Sequence, residues 1–231
     1  MAILPKKDNM KKFNPKLIMI DVDGTLVDSV PDLAYCVDEL MIAMKRKKWG
    51  EGKVREWVGN GVPKLVERSL TGVLEGVVNQ ADYELAYPLF LALYADNTSG
   101  RSSLYAGVKE GLDYLQAQGY TLGCVTNKAE QFTLPLLKDL GIFDYFGIVI
   151  SGDSLAKKKP DPLPLFYAAT FFGIEPKNSL MLGDSISDVK ASRAAGFKII
   201  CMSYGYNHGN NIADANPDLV IDSMAQLKHY L

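Results

Sequence analysis

The stretch Leu17-Ile18-Met19-Ile20-Asp21-Val22-Asp23-Gly24-Thr25-Leu26-Val27-Asp28-Ser29 runs four apolar residues straight into two aspartates one residue apart. A short apolar run stopped by a polar turn predicts a buried strand, the kind that parallel sheets use. Side chains alternate along an extended chain, so Asp21 and Asp23 point the same way. Two carboxylates held that close repel, and each raises the other's pKa. Something positive has to sit between them.

Outward from this point the pattern has two parts. Ser29 is placed to cap a helix and Pro31 to sit in its first turn, with Leu33, Val37, Leu40 and Met44 following at helical spacing. Asp28 reads as a further cap of that helix. Helical periodicity continues to Gly100 without a clear strand, broken at Gly59-Asn60-Gly61. From Tyr105 helices and strands alternate. Strands are expected at 121–125, 148–150, 180–182, 198–202 and 219–221. Helices are expected from Val108 to Leu115, up to Leu140, over 163–172 and over 189–195, with Pro135 an irregularity in the second. Such alternation predicts an α/β fold, a Rossmann-like doubly wound parallel sheet, with a small α-helical domain inserted after the first strand. The expected organisation is a tail over 1–16, a core over 17–30 and 101–231, and the helical insertion over 31–100.

Bulk properties exclude several classes of function. The 231 residues carry a formal net charge of -2, which points to no nucleic-acid partner. No apolar run approaches the roughly 20 residues of a membrane span, and the lysine-bearing N-terminus lacks the apolar segment of a secretory signal. Cys36, Cys124 and Cys201 are widely spaced and form no metal-binding pair. Cys124 and Cys201 lie in apolar runs as core residues, and a reducing, cytoplasmic location is expected.

Polar residues recur where strands give out: Asp21 and Asp23, Thr126 and Asn127, Gly183 and Asp184. In open parallel sheets ligands bind outside the carboxyl ends of the strands, so these residues should meet. Lys157-Lys158-Lys159-Pro160 can bring positive charge there. Of the three lysines, Lys159 keeps the spacing to the prolines, and Lys157 and Lys158 read as solvated. A cluster of Asp21, Asp23 and Asp184 suits a hard divalent cation such as Mg²⁺ together with a lysine. An EF-hand is excluded by the position of Gly24 and the lack of the later Glu, a P-loop by the absence of its motif, and a dinucleotide fingerprint by the missing third glycine. Taken one by one, the DxD could be a capped turn, Thr126-Asn127 and Ser185 helix caps, and the cations of the insertion a solvated face.

Together, Asp21-Val-Asp23-Gly24-Thr25, Val125-Thr126-Asn127, Lys159-Pro160 and Gly183-Asp184-Ser185-Ile-Ser187-Asp188 resemble, in order and context, the four motifs of the haloacid dehalogenase superfamily. The resemblance covers nearly the whole chain beyond the tail, and the insertion is similar to that superfamily's small helical cap. It implies an Mg²⁺-dependent phosphatase with an aspartyl-phosphate intermediate. Asp21 would be the nucleophile and Asp23 the general acid and base. The metal would be held by Asp21, Asp184 and the backbone carbonyl of Asp23, with Asp188 orienting Lys159 or metal-bound water. Thr126, Asn127 and Lys159 would meet the phosphoryl group, as would backbone N–H groups of the Asp23-Gly24-Thr25 turn. An acid at Asp23 separates phosphatases from the superfamily's dehalogenases. Trp57-Val-Gly59-Asn60-Gly61 and Ser203-Tyr204-Gly205-Tyr206-Asn207 resemble the bacterial phosphoglycolate phosphatases within it. That implies 2-phosphoglycolate as the small phosphorylated metabolite, met by Gly59, Asn60, Gly61 and a cation such as Arg55, Lys64 or Arg68. The alternatives are a phosphatase or mutase for a sugar phosphate or nucleotide, and a silent phosphate- or metal-binding module. The protein is expected to be a monomer or homodimer.

Overall fold

The apolar run Leu17–Ile20 is strand β1, fully buried, in a computed structural model that describes residues 13–231. Most of the segment expected as a tail, 1–16, therefore lies outside the described residues. β1 pairs in parallel with β4 (Thr121–Val125) on one side and β6 (Ser179–Gly183) on the other. β5 (Val149–Ile150) extends the sheet past β4, and β7 (Lys198–Met202) and β8 (Leu219–Ile221) extend it past β6. The order is β5-β4-β1-β6-β7-β8, so the chain goes from β1 to one side of it and returns on the other. The carboxyl ends of β1, β4 and β6 thus flank the switch point where such sheets bind ligands.

The strands alternate between two cores. Ile18, Ile20, Leu122, Cys124, Leu180, Leu182 and Ile200 face one side, with Val108, Leu112 and Leu115 of α5 (Val108–Ala117) and Leu136 and Leu137 of α6 (Glu130–Asp139) packed over them. Leu17, Met19, Met181, Ile199 and Cys201 face the other, under Leu165 of α7 (Leu163–Phe172) and Val189 of α8 (Ile186–Ala195). Full burial of both faces is why these strands read as continuous apolar runs. Pro135 sits inside α6 without ending it. The carbonyl it leaves without an N–H partner belongs to the exposed Gln131, where water can reach it.

A third core belongs to α1 (Val30–Ala43), α2 (Glu51–Arg55), α3 (Val62–Thr71) and α4 (Gln80–Ala95). Leu33, Val37, Leu40, Val54, Trp57, Leu65, Val66 and Phe90 pack there, joined by Phe132 and Tyr206 from the sheet-bearing part of the chain. This helical layer therefore rests on the ligand edge of the sheet. The chain enters and leaves it through a short antiparallel ribbon, β2 (Val27–Asp28) against β3 (Ser103–Leu104). Asp32, fully buried in the first turn of α1, accepts hydrogen bonds from the backbone N–H and hydroxyl of Ser102 and from the backbone N–H of Arg101. One carboxylate thereby fastens the start of α1 to the returning strand. Asp28 does not cap α1: its carboxylate is taken by Arg55 and by the hydroxyl of Tyr206. Ser29 occupies the cap position but makes no capping bond, because its hydroxyl donates to Asp23.

Candidate active site

Asp21 leaves β1 at the switch point, and its buried carboxylate lies 2.9 Å from the Lys159 ammonium. Lys159 is itself buried, donating to Asp188 Oδ1 at 2.7 Å and to the Val125 carbonyl, at the end of β4, at 2.9 Å. Asp184 follows β6. The Thr25 hydroxyl donates to its Oδ1 at 2.9 Å and the Tyr206 backbone N–H to its Oδ2 at 2.5 Å. Asp188 receives Ser185 N–H and hydroxyl at the start of α8, closing a capping box, and the Asp184 N–H at 3.3 Å. Ser185 is thus a helix cap, and Asp188 links that cap to Lys159.

Close packing keeps this cluster tight. Gly24 has φ +89, and a Cβ there would stand 2.2 Å from Asp184 Oδ2. A Cβ at Gly205 would stand 2.1 Å from Asp184 Cβ. Both positions require glycine so that the two turns can close around the Asp184 carboxylate.

Charge is unevenly answered. Burial pushes the Asp21 carboxyl up to about 7, with Lys159 opposing and Asp188 and Asp23 adding. Burial, followed by Asp188 and Asp21, holds Asp184 well above the usual carboxylate range, against the Tyr206 N–H and the Thr25 hydroxyl. Burial works against the charged form of Lys159, but Asp188 and Asp21 outweigh it and leave the ammonium above its ordinary value. One carboxylate oxygen each from Asp21, Asp184 and Asp188 lies within 4.8 Å of the others. Lys159 answers Asp21 and Asp188, whereas no ion pair reaches Asp184 among the described residues. A set of hard oxygen donors short of positive charge fits a hard divalent cation.

Asp23 lies in the turn just past the end of β1, and it and Asp21 line one pocket. Its Oδ1 accepts the Ser29 hydroxyl at 2.6 Å, and the Lys128 ammonium lies 3.1 and 3.3 Å from its two oxygens. The pocket is narrow, with about 30 Å³ of cavity volume. Thr126, Asn127 and Lys128 join the two aspartates from the sheet side, and Leu33, Val58, Gly59, Gly61, Val62 and Leu65 close it from the helical layer. Neither Thr126 nor Asn127 caps α6, which begins after Ala129 and whose Glu130 N–H donates to the Asp153 carboxylate. Asn127 Nδ2 instead donates to the carbonyls of Lys159 and, across the pocket, Gly59, leaving its buried Oδ1 without a partner.

Several expected contacts are placed elsewhere. The N–H groups of Gly24 and Thr25 donate to the carbonyls of Val27 and Val22, inside their own turn. They are not offered to a ligand, and the two residues serve the site by seating Asp184. Asn60 presents its carbonyl to Lys158, so Lys158 bridges to the helical layer rather than standing in solvent. Arg55 does not line the pocket: Asp28 takes its guanidinium bidentately at 3.1 Å and Glu51 at 2.7 Å, with the Tyr206 ring 5.4 Å away. Lys64 pairs with Glu67, and Arg68 is buried on the carbonyls of Trp57 and Leu74. Lys128 was not anticipated. Its one signal was its place, directly after Thr126-Asn127 at the end of a buried strand.

The chain matches the family described as haloacid dehalogenase-like hydrolase over residues 18–202. It is 61% identical over 217 residues to a phosphoglycolate phosphatase of Nitrosococcus oceani, covering 94% of this chain and 96% of that one. It is 44% identical to the phosphoglycolate phosphatase of Nitrosospira multiformis, covering 90% of this chain and 92% of that one. A crystal structure from Haemophilus somnus, titled a predicted phosphoglycolate phosphatase, superposes with a TM-score of 0.87 at 36% identity, covering 95% of this chain and 98% of that one.

Proposed function

The chain belongs to the haloacid dehalogenase-like hydrolases, and from that premise we propose that it is an Mg²⁺-dependent phosphomonoesterase converting 2-phosphoglycolate to glycolate and phosphate. The observation that carries the reading is the pairing of two differently held aspartates on one pocket. Asp21 contacts Lys159 and the acidic cluster, and Asp23 is held apart from that cluster by Ser29 and Lys128. One is suited to attack phosphorus, the other to move a proton.

In the proposed reaction an Asp21 oxygen attacks phosphorus and the bond to the ester oxygen breaks. Asp23 gives its proton to that departing oxygen. Asp23 then takes a proton from water as the water oxygen attacks the aspartyl-phosphate, and the Asp21 carboxylate is released. Lys159 offsets charge on Asp21 and on the transferred group, and the Thr126 hydroxyl and the Asn127 backbone N–H hydrogen-bond the phosphoryl oxygens. Asp21, Asp184 and the Asp23 carbonyl would hold Mg²⁺, which when bound supplies Lewis-acid stabilisation of phosphoryl charge. Asp188 orients Lys159.

The helical layer over 31–100 acts as a cap. Its apolar wall and the Gly59–Gly61 turn shut water from the pocket, and exchange requires it to lift at the ribbon of β2 and β3. The relatives' substrate names support 2-phosphoglycolate in particular. The three buried free thiols support a reducing, cytoplasmic setting, where we expect a monomer or homodimer. Among the described residues no helix is long and apolar enough to cross a membrane.

The test is phosphate release from a panel of small esters with Mg²⁺ and with EDTA. Metal-dependent release, with 2-phosphoglycolate leading in kcat/KM, is expected. A different leading ester would keep the chemistry and discard the substrate. No release from any ester by the folded protein with Mg²⁺ would discard the phosphatase reading.

A further inference from the structure

A proton donor works only if its carboxyl is held where the leaving oxygen arrives. The Lys128 ammonium spans both oxygens of Asp23, at 3.1 and 3.3 Å. Lys128 comes from the turn after β4 and is 4% exposed. Its ammonium also donates to the hydroxyl of Tyr94, which belongs to α4 in the helical layer. The Tyr94 ring is fully buried, with centroids 5.7 Å from Phe90 and 4.6 Å from Phe132, so its hydroxyl has a fixed place. A line of contacts therefore runs from the helical layer through Tyr94 and Lys128 to Asp23. Lysine is a flexible stem with a rotating head, and a buried lysine needs fixed acceptors to stay in one place. Tyr94 supplies one only while α4 is packed on the sheet edge.

We propose that Lys128 is a positioning residue for Asp23, seated by Tyr94, so that protonation of the leaving oxygen is competent only when the helical layer is closed. The inference rests on the reading of Asp21 as nucleophile and Asp23 as acid. The step it governs is the first one: the Asp21–phosphorus bond forms, the phosphorus–ester oxygen bond breaks, and the Asp23 proton passes to that oxygen.

The test compares kcat/KM, at saturating Mg²⁺, for 2-phosphoglycolate and for a nitrophenyl phosphate. The alkoxide of the first needs a proton to leave; the nitrophenolate of the second departs without one. Tyr94→Phe keeps the ring packing and removes only the hydroxyl. It is expected to lower kcat/KM for 2-phosphoglycolate about tenfold and for the nitrophenyl ester less than about twofold, within the reach of general-acid catalysis. Lys128→Met should lower the first about 100-fold and the second about tenfold or less, and Lys128→Arg should recover part of the difference. If Lys128→Met does not fold, the Tyr94→Phe ratio decides. Equal losses on both esters, or none on either, would make Lys128 and Tyr94 structural and overturn the proposal. A wild-type protein inert toward both esters would remove the phosphatase reading itself, and the proposal with it.

Discussion

Replacing Asp32 tests whether one buried carboxylate holds the helical layer to its hinge. Asp32 is fully buried and accepts the Ser102 N–H at 2.8 Å, the Ser102 hydroxyl at 2.6 Å and the Arg101 N–H at 3.0 Å to each oxygen. The Arg101 guanidinium adds a long 3.4 Å contact from a side chain that is 42% exposed, which contributes little. In Asp32→Ala the two Ser102 donors stay buried with no acceptor. A buried donor left unmade costs about 1–3 kcal/mol, and breaking a buried charged contact about 3–5 kcal/mol in all. The expected loss is therefore about 3–5 kcal/mol for Asp32→Ala. Asp32→Asn should lose about 2 kcal/mol, since an amide accepts through one oxygen and points its NH₂ at donors.

Urea unfolding reads this loss as a lower midpoint at constant slope. Trp49 and Trp57, the two tryptophans of the chain, both lie with the helical layer, so their fluorescence follows that layer while circular dichroism follows the whole. The fluorescence transition should move at least as far as the dichroism transition. Ser102→Ala added to Asp32→Ala should cost far less than it does alone, because its partner is already gone. A midpoint change worth less than about 1 kcal/mol for Asp32→Ala, or additive effects of the two substitutions, would refute the reasoning. Water would then be replacing the carboxylate, and the hinge would be held by the ribbon and packing.

Three other outcomes are expected. Asp21→Asn should abolish phosphate release without lowering the melting temperature, because the amide removes a carboxyl that burial has pushed up to about 7; measurable turnover in the pure variant would contradict its role as nucleophile. Gly205→Ala should keep the fold but raise the Mg²⁺ concentration for half-maximal activity about tenfold or more, since its Cβ would meet Asp184 Oδ2 at 2.3 Å and displace it from the Tyr206 N–H. An unchanged Mg²⁺ requirement would remove Asp184 from the metal site. In thermal melts Mg²⁺ alone should raise the midpoint, inorganic phosphate alone should not, and the two together should raise it further, by the linkage of binding to stability; stabilisation by phosphate without metal would contradict the charge reading of the cluster.

The sheet was legible because its strands are buried on both faces and stop at polar residues. The runs 198–202 and 219–221 and the helix over 163–172 have the same limits in the structure as in the pattern. The acidic cluster was legible for the same reason, since strand ends gather at one edge. The ribbon of β2 and β3 was not, because two-residue strands carry no alternation. Asp32, Lys128 and Tyr94 were hidden because their partners lie 69, 105 and 34 residues away in sequence. Gly24 and Thr25 looked like a phosphate cradle because nothing local reveals that the Val22 and Val27 carbonyls fold back onto their N–H groups. Arg55 looked like an anion binder because its answering carboxylate, Asp28, sits 27 residues earlier and read as a helix cap.

The placement of charge explains how these parts act as one site. Asp21, Asp23, Asp184 and Asp188 bring four carboxylates to the sheet edge, and Lys128 and Lys159 bring two ammoniums. With all six ionised the deficit is two negative charges, the charge of one divalent cation. The deficit is also localised. Lys159 stands between Asp21 and Asp188, Lys128 stands on Asp23, and Asp184 is left with a hydroxyl and an N–H. The raised position of Asp184 follows from that arrangement, as burial and the neighbouring carboxylates act on it with no ammonium in reply. A divalent ion beside Asp184 and Asp21 would bring the site to neutrality before any substrate arrives. A phosphate ester monoanion then enters a neutral site and brings the proton that Asp23 passes to the leaving oxygen, so the Thr126 hydroxyl, the Asn127 backbone N–H and the shared charge of Lys159 suffice to hold it. The second lysine is thereby free of the phosphoryl group. Its contacts are to Asp23 and to the helical layer, which is where a group that times the proton has to be.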